Sequence, residues 1–345
     1  MPLVKPYRLS YRTFEEFEPF VVLVEGADGM IGFGDAHISP GSSSETREGG
    51  WAFIASHAPG MIGLAPPDAK ALVLRDFSKS KAATTALVSA TEVFEGLALV
   101  DVPKATTLPL LTPIGSLIES EIAAEVETLL AEGFRTFKVK VGKDVEADLA
   151  RVAAIQRCVR GRATLRLDAN RAFSRAQGIA FASGLDPEGI ELFEQPCEAE
   201  EWEANGAVAA ASVVPLMLDE PICTLADIAR AGDMPQVGFC KLKLKRFGSL
   251  ERLKQGLDAV RAHGMEPVLG DGLGSEIQGW LEAVIARTTI TNAGEFNGFL
   301  KPRDRLFENP IPFADGAIRL PANYRPRLDA AALDRFTVDV MKFGT

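Results

Sequence analysis

From residue 106 onward, short apolar runs alternate with stretches whose apolar residues recur at helical spacing. The runs are Leu108–Ile114, Phe134–Val141, Thr164–Ala169, Ile190–Phe193, Pro215–Leu218, Gly238–Leu242, Glu266–Leu269 and Asn292–Phe296. Runs of this length read as strands and the intervening patterns as helices. Taking Ile114, Lys140, Asp168, Glu194, Asp219, Lys243, Asp271 and Glu295 as strand ends gives intervals of 26, 28, 26, 25, 24, 28 and 24 residues. Eight βα units of nearly equal length predict an α/β fold, a TIM-like (β/α)8 barrel over residues 104–312 with a short last helix.

The first hundred residues have a different texture. "FVVLVEGADGMIGFGDA" (20–36) reads as two strands around a Gly/Asp turn, an antiparallel hairpin. "SPGSSSETREGG" (39–50) is polar and reads as a loop, and alanine-rich helical patterns such as residues 81–100 follow. This predicts an N-terminal α+β capping domain over residues 1–103, completed by the C-terminal segment 313–345.

Composition narrows the function classes. A net charge of −10 and a pI near 5.1 argue against nucleic acid or an anionic membrane as partner. Cys158, Cys197, Cys223 and Cys240 show no CxxC spacing, so neither a disulfide framework nor a zinc knuckle is expected. The N-terminus lacks a signal-peptide core, and no apolar stretch is long enough to span a membrane. A cytoplasmic enzyme acting on a small molecule is expected.

Barrel active sites form at the C-terminal ends of the strands, and seven of the eight strand ends named above are ionisable. The third to fifth strands end in Asp168, Glu194 and Asp219. Three such acids on one arc repel one another, and all-oxygen ligands select a hard dication, Mg²⁺ or Mn²⁺. "FKVKVG" puts Lys138 and Lys140 on one face of the second strand, and "CKLKLK" puts Lys241, Lys243 and Lys245 in phase on the sixth, on the opposite wall. Two strand rises separate Lys138 from Lys140 by about 6.6 Å, a repulsion on the order of 2.5 kcal/mol that lowers an ammonium of about 10.4 by roughly 1.8. A lysine near neutrality can act as a base. His37, His57 and His263 sit at no barrel strand end, so a His–Asp base is not expected.

With these motifs the chain resembles the enolase superfamily, specifically its muconate-lactonizing-enzyme-like subgroup, from "VVLVEGADGMIGFGDA" to "FADGAIRLP". The resemblance implies that Lys140 is the catalytic lysine, Lys138 its electrostatic companion and Lys243 of "KLKRFGS" the second catalytic lysine. It implies that Asp168 of "LRLDANRAF", Glu194 of "LFEQP" and Asp219 of "LDEP" are Mg²⁺ ligands; Glu220, one residue on from Asp219, alternates outward and reads as structural. It also implies a homo-oligomer. In related dipeptide epimerases an Asp-x-Asp on the eighth strand holds the substrate ammonium, and "GEFNGF" offers Glu295 and Asn297 there. Lys241 replaces a frequent asparagine, and with Lys138 and Arg166 it would form a cationic layer below the carboxylates.

Abstraction of a proton alpha to a carboxylate follows, through an enolate stabilised by the cation and the ammoniums. Two opposed lysines support a racemase or epimerase of an N-acylamino acid or dipeptide. One lysine acting alone supports a muconate-type cycloisomerase or an o-succinylbenzoate-synthase-like dehydratase. A Schiff-base aldolase or a non-catalytic binding protein are readings of another class. Several residues keep two readings: Asp271 and Glu276 as substrate contacts or helix caps, Gly270, Gly272 and Gly274 as a backbone approach or a plain turn. Phe17, Phe20 and the loop 39–50 read as a substrate-facing lid, or the two rings as core.

Overall fold

The computed structural model describes residues 1–8, 13–39, 43–271 and 273–344. Residues 40–42 of the expected lid loop and Gly272 of the seventh-strand turn lie outside them. Strand β1 (Pro2–Arg8) pairs antiparallel with β2 (Thr13–Glu16), and β3 (Phe20–Glu25) pairs with β4 (Ile31–Ala36) in the expected hairpin. Three helices follow, α1 (Arg47–Met61), α2 (Pro66–Leu74) and α3 (Lys81–Phe94). Small residues bring α3 onto the hairpin: a Cβ on Gly32 would lie 2.3 Å from the Ala90 carbonyl, and one on Gly34 would lie 2.2 Å from Ser89 Oγ.

Seven parallel strands form the barrel wall in sequential order: β6 (Thr112–Ile114), β7 (Thr136–Lys140), β8 (Thr164–Asp168), β9 (Ile190–Glu194), β10 (Leu216–Leu218), β11 (Val237–Leu242) and β12 (Glu266–Leu269). Two expectations need correction. The run 108–114 is not one strand. Its first part belongs to β5 (Thr106–Pro109), which pairs antiparallel with β14 (Ala317–Leu320) in a three-stranded sheet with β13 (Phe313–Ala314). Nor is Asn292–Phe296 a regular strand. It closes the ring through single contacts: Gly294 N–H donates to the Pro109 carbonyl (2.9 Å), Leu111 N–H to that of Gly294 (3.1 Å), and Glu295 N–H to that of Leu269 (2.8 Å). A 3₁₀ turn at Gly298–Leu300 stands where an eighth helix would begin.

Alternation along the strands sorts the side chains. Leu165, Leu167, Phe193, Leu216, Leu218, Cys240, Leu242 and Leu269 join the large core shared with the helices. Leu192 and Met217, two residues before Glu194 and Asp219, form a separate cluster on the lumen face with Val268, which pairs in register with Lys241. The C-terminal segment reaches both units: Phe313 packs on Phe134 and Phe299, and Met341 on the cluster of Phe53, Ile54 and Val73. No helix among the described residues is long and apolar enough to cross a membrane.

Candidate active site

The strands carrying Asp168, Glu194 and Asp219 are adjacent, and Asp168 pairs in register with Glu194. All three carboxylates are buried, yet each meets ammonium or guanidinium groups. Lys140 Nζ donates to Asp168 Oδ2 and to Asn170 Oδ1, both at 2.5 Å. Lys138 Nζ bridges Asp168 (2.9 Å), Glu194 (2.6 Å) and Glu295 (2.9 Å). On the far wall, Lys243 Nζ donates to Asp219 Oδ2 (2.9 Å), and Arg246 Nη1 holds Asp219 Oδ1 (2.8 Å) and its carbonyl. The lysines and the acids therefore converge.

A cationic layer lies below, as the sequence implied, with Glu295 at its centre. Lys241 (2.6 Å), Lys138 (2.9 Å) and Arg166 (3.4 Å) all pair with this one carboxylate. Arg166, fully buried, also reaches Glu191 (2.8 Å) and the Ala293 carbonyl (2.9 Å) and so ties β8 to the irregular eighth segment. The expectation that Glu295 receives a substrate ammonium is not supported by this arrangement, since three cations already occupy it. Asn297 is likewise engaged: its Nδ2 donates to the Leu111 carbonyl (3.0 Å) and its Oδ1 accepts from Lys301 Nζ (2.7 Å).

The fields follow from this packing. Burial works to lower the Lys138 ammonium, but Asp168, Glu194 and Glu295 raise it well above its ordinary value. Repulsion between Lys138 and Lys140 does not leave Lys138 near neutrality, because Asp168 sits between their ammoniums. Of the lysines at the strand ends it is Lys243 that is lowered, by burial and then by Arg246. Burial would raise Asp219, yet Arg246, Lys243 and Lys241 hold it well below the carboxylate range. Glu194 is pushed up to about 7 by burial and by Asp168.

Other residues resolve their open readings. Asp271 is buried against Lys245 at 2.5 Å; Lys245 has left the strand, lying in the short helix Leu244–Phe247. Glu276 is a clamp, accepting from the backbone of Leu306, Phe307 and Ile311. Ser275, not Asp271, caps the helix Glu276–Thr289. Gly270 has φ +131° and a Cβ there would lie 2.4 Å from the Glu295 carbonyl carbon, so this glycine serves the approach of two protein segments. Phe17 is buried with Tyr7, Phe14 and Leu273, against the loop after β12. Phe20, read as a substrate-facing lid residue or as core, stacks on Trp51 (6.2 Å) and packs within the capping domain. Glu220 turns away to Arg171 (3.4 Å).

Sequence reasoning missed four residues here. Asn170, Gln195 and Arg246 position the machinery; Gln195 Oε1 accepts from Asp219 N–H (2.9 Å). Lys301 is the fourth. The signals were local: Asn170 lies two residues after Asp168, and Arg246 one helical turn after Lys243. A cleft of about 820 Å³ between α2 and the helix Leu250–Ala262 shares no residue with this site; its Lys70 is paired with Glu95 and Glu251.

The Enolase C-terminal domain-like family model matches residues 121–326, more than half of the chain. The chain belongs to that family. It is 29% identical to the hydrophobic dipeptide epimerase of Citrifermentans bemidjiense, over 72% of this chain and 73% of the relative. It is 25% identical to the L-Ala-D/L-Glu epimerase of Bacillus subtilis, over 96% and 95%. In structure it is similar to muconate lactonizing enzyme from Pseudomonas fluorescens, with a TM-score of 0.86 at 22% identity over 97% and 95% of the two chains. That likeness shows the shared fold, a capped (β/α)8-type barrel.

Proposed function

We propose that this protein removes and returns the proton alpha to a carboxylate, as a racemase or epimerase of an N-acylamino acid or a dipeptide. One observation carries the reading: Lys140 at the end of β7 and Lys243 just after β11 flank the three strands whose C-terminal ends carry Asp168, Glu194 and Asp219. Amines on opposite walls reach opposite faces of a carbon held between them. Lys140 is half-exposed, while Lys243 is largely buried and lowered by its surroundings. One takes the proton and the other, as an ammonium, delivers one from the other side. Asn170 orients Lys140, and Arg246 with Gln195 fixes Asp219.

The donor set fits a divalent cation: three buried carboxylates on neighbouring strands, hard oxygen ligands whose mutual repulsion a dication relieves. As they stand, no three acids among the described residues form a ready coordination shell, because lysines and Arg246 occupy their oxygens. Asp168, Glu194 and Asp219 would hold Mg²⁺, or Mn²⁺ in its place, which supplies when bound the positive charge that a carboxylate needs to lose its alpha proton. Lys138 serves this reading as the charged companion beneath. A homo-oligomer in the cytoplasm completes it.

The curated relatives named for dipeptide epimerisation support this reaction class. Within it, the pairing of Glu295 with three cations and of Asp271 with Lys245 favours a substrate without a free ammonium, an N-acylamino acid over a dipeptide. The test is solvent-deuterium exchange over a panel of N-acylamino acids and dipeptides with Mg²⁺ present. Alpha-deuteration with inversion supports the proposal. Lactone or diene products would replace it with cycloisomerisation or dehydration, and borohydride trapping of substrate with activity surviving a chelator would replace it with aldolase chemistry.

A further inference from the structure

Lys301 follows the 3₁₀ turn that stands after the irregular eighth segment. Its backbone is fixed to the capping domain, with Val4 N–H donating to its carbonyl (2.8 Å), Leu3 bridging to Pro302, and Arg303 N–H donating to the Pro2 carbonyl (2.9 Å). Its Nζ lies 4.7 Å from the centre of the Tyr7 ring and 2.7 Å from Asn297 Oδ1. Asn297 cannot swing away without losing its bond to the Leu111 carbonyl, and Tyr7 is held edge-on against buried Phe17 at 6.3 Å. The ammonium is therefore placed rather than free to wander.

It has no carboxylate within ion-pair distance among the described residues. Asp271, whose charge acts on it, is engaged by Lys245 at 2.5 Å. Burial pushes the Lys301 ammonium down to about 7. An ammonium carries three donors, and Asn297, through Oδ1 and a long 3.5 Å contact to its carbonyl, leaves at least one of them open. This corner borders the reaction site: Asn297 stands two residues after Glu295, which pairs with Lys138 and Lys241, and Tyr7 packs on the cluster of Phe17 and Leu273, two residues after Asp271. A half-buried cation without an anion is disfavoured until a ligand brings one.

We propose that Lys301, positioned by Asn297 and Tyr7, is a specificity residue that takes a second carboxylate on the substrate, remote from the one whose alpha carbon reacts. The inference rests on the proton-transfer reading above and names its substrate class as dianionic. The second carboxylate can come from the acyl group or from the amino-acid side chain. Two matched pairs separate the sources: N-succinyl- against N-butyryl-phenylalanine, and N-acetylglutamate against N-acetylglutamine.

Exchange kinetics and calorimetric binding are measured for wild type, Lys301→Met and Lys301→Arg with Mg²⁺ present, after thermal melts establish that both variants fold. In wild type, kcat/KM for the carboxylate member of one pair should exceed that of its neutral partner by about 10- to 100-fold, the range of a charged hydrogen bond. That ratio should collapse in Lys301→Met, chiefly through KM, and recover in Lys301→Arg; the pair that shows it names the source. Ratios near one in wild type, or unchanged in Lys301→Met, overturn the subsite. Lys301-dependent binding of a carboxylate member without exchange sustains the subsite and sinks the reaction. Neither binding nor exchange with any of the four overturns both.

Discussion

Replacing Glu295 with glutamine removes the one negative charge shared by Lys241, Lys138 and Arg166, at 2.6, 2.9 and 3.4 Å. The glutamine keeps the shape and one acceptor but turns an NH₂ group toward cations. At an effective dielectric of about 20, the shortest of these contacts is worth about 6 kcal/mol before desolvation. Desolvation offsets much of it, and removing one partner of a buried ion pair leaves a net loss of about 3–5 kcal/mol. With an unfolding entropy of about 2.1 cal/mol/K per residue, a chain of this length loses about 4–7 °C of Tm for that change. Denaturant titration and thermal melts of wild type and Glu295→Gln measure it. The three cations hold the folded carboxyl well below its usual value against the opposing effect of burial. The contribution is therefore complete above the unfolded value of about 4.3 and vanishes as pH falls through the folded one, so the gap between the proteins should narrow in acid. A Tm within about 1 °C of wild type, far below the expected range, together with a raised KM only for substrates bearing an ammonium, would refute this reasoning and return Glu295 to substrate recognition.

Lys140→Ala and Lys243→Ala should each reduce deuterium exchange from at least one enantiomer by about 10²- to 10⁴-fold; full activity in either variant discredits its assignment. Asp219→Asn should weaken Mg²⁺ binding in calorimetry by at least about tenfold, through loss of ligand charge, and unchanged affinity counts against a ligand role. Glu282, buried with Oε1 unpartnered among the described residues, is pushed up to about 8 by burial and by Asp271. A raised folded value means that its stabilisation is present below the unfolded value and is lost as pH rises toward 8. Glu282→Gln should therefore gain on wild type between about pH 5 and 8, by at most about 5 kcal/mol, and parallel Tm curves would show that the carboxyl is not held protonated.

The sequence by itself determined which residues stand at the strand ends. Period-two alternation and a repeat of 24 to 28 residues are local properties, so Lys140, Asp168, Glu194, Asp219 and Lys243 were legible without coordinates, as was the cationic layer of Lys138, Arg166 and Lys241 beneath them. Only the tertiary structure decided what those charges meet. The 108–114 run divides because its first part finds β14, some two hundred residues later, and the eighth segment stays irregular between Gly270 and Leu110. Glu295 resembled a substrate group in sequence; folding gives it to Lys138, 157 residues away. Phe20 went to Trp51, and Lys301, unremarkable along the chain, came to rest over Tyr7. A side chain's type and direction follow from its own neighbourhood in the chain, but its partner is set by which distant segment packs against it, and in this site the partner determines the charge.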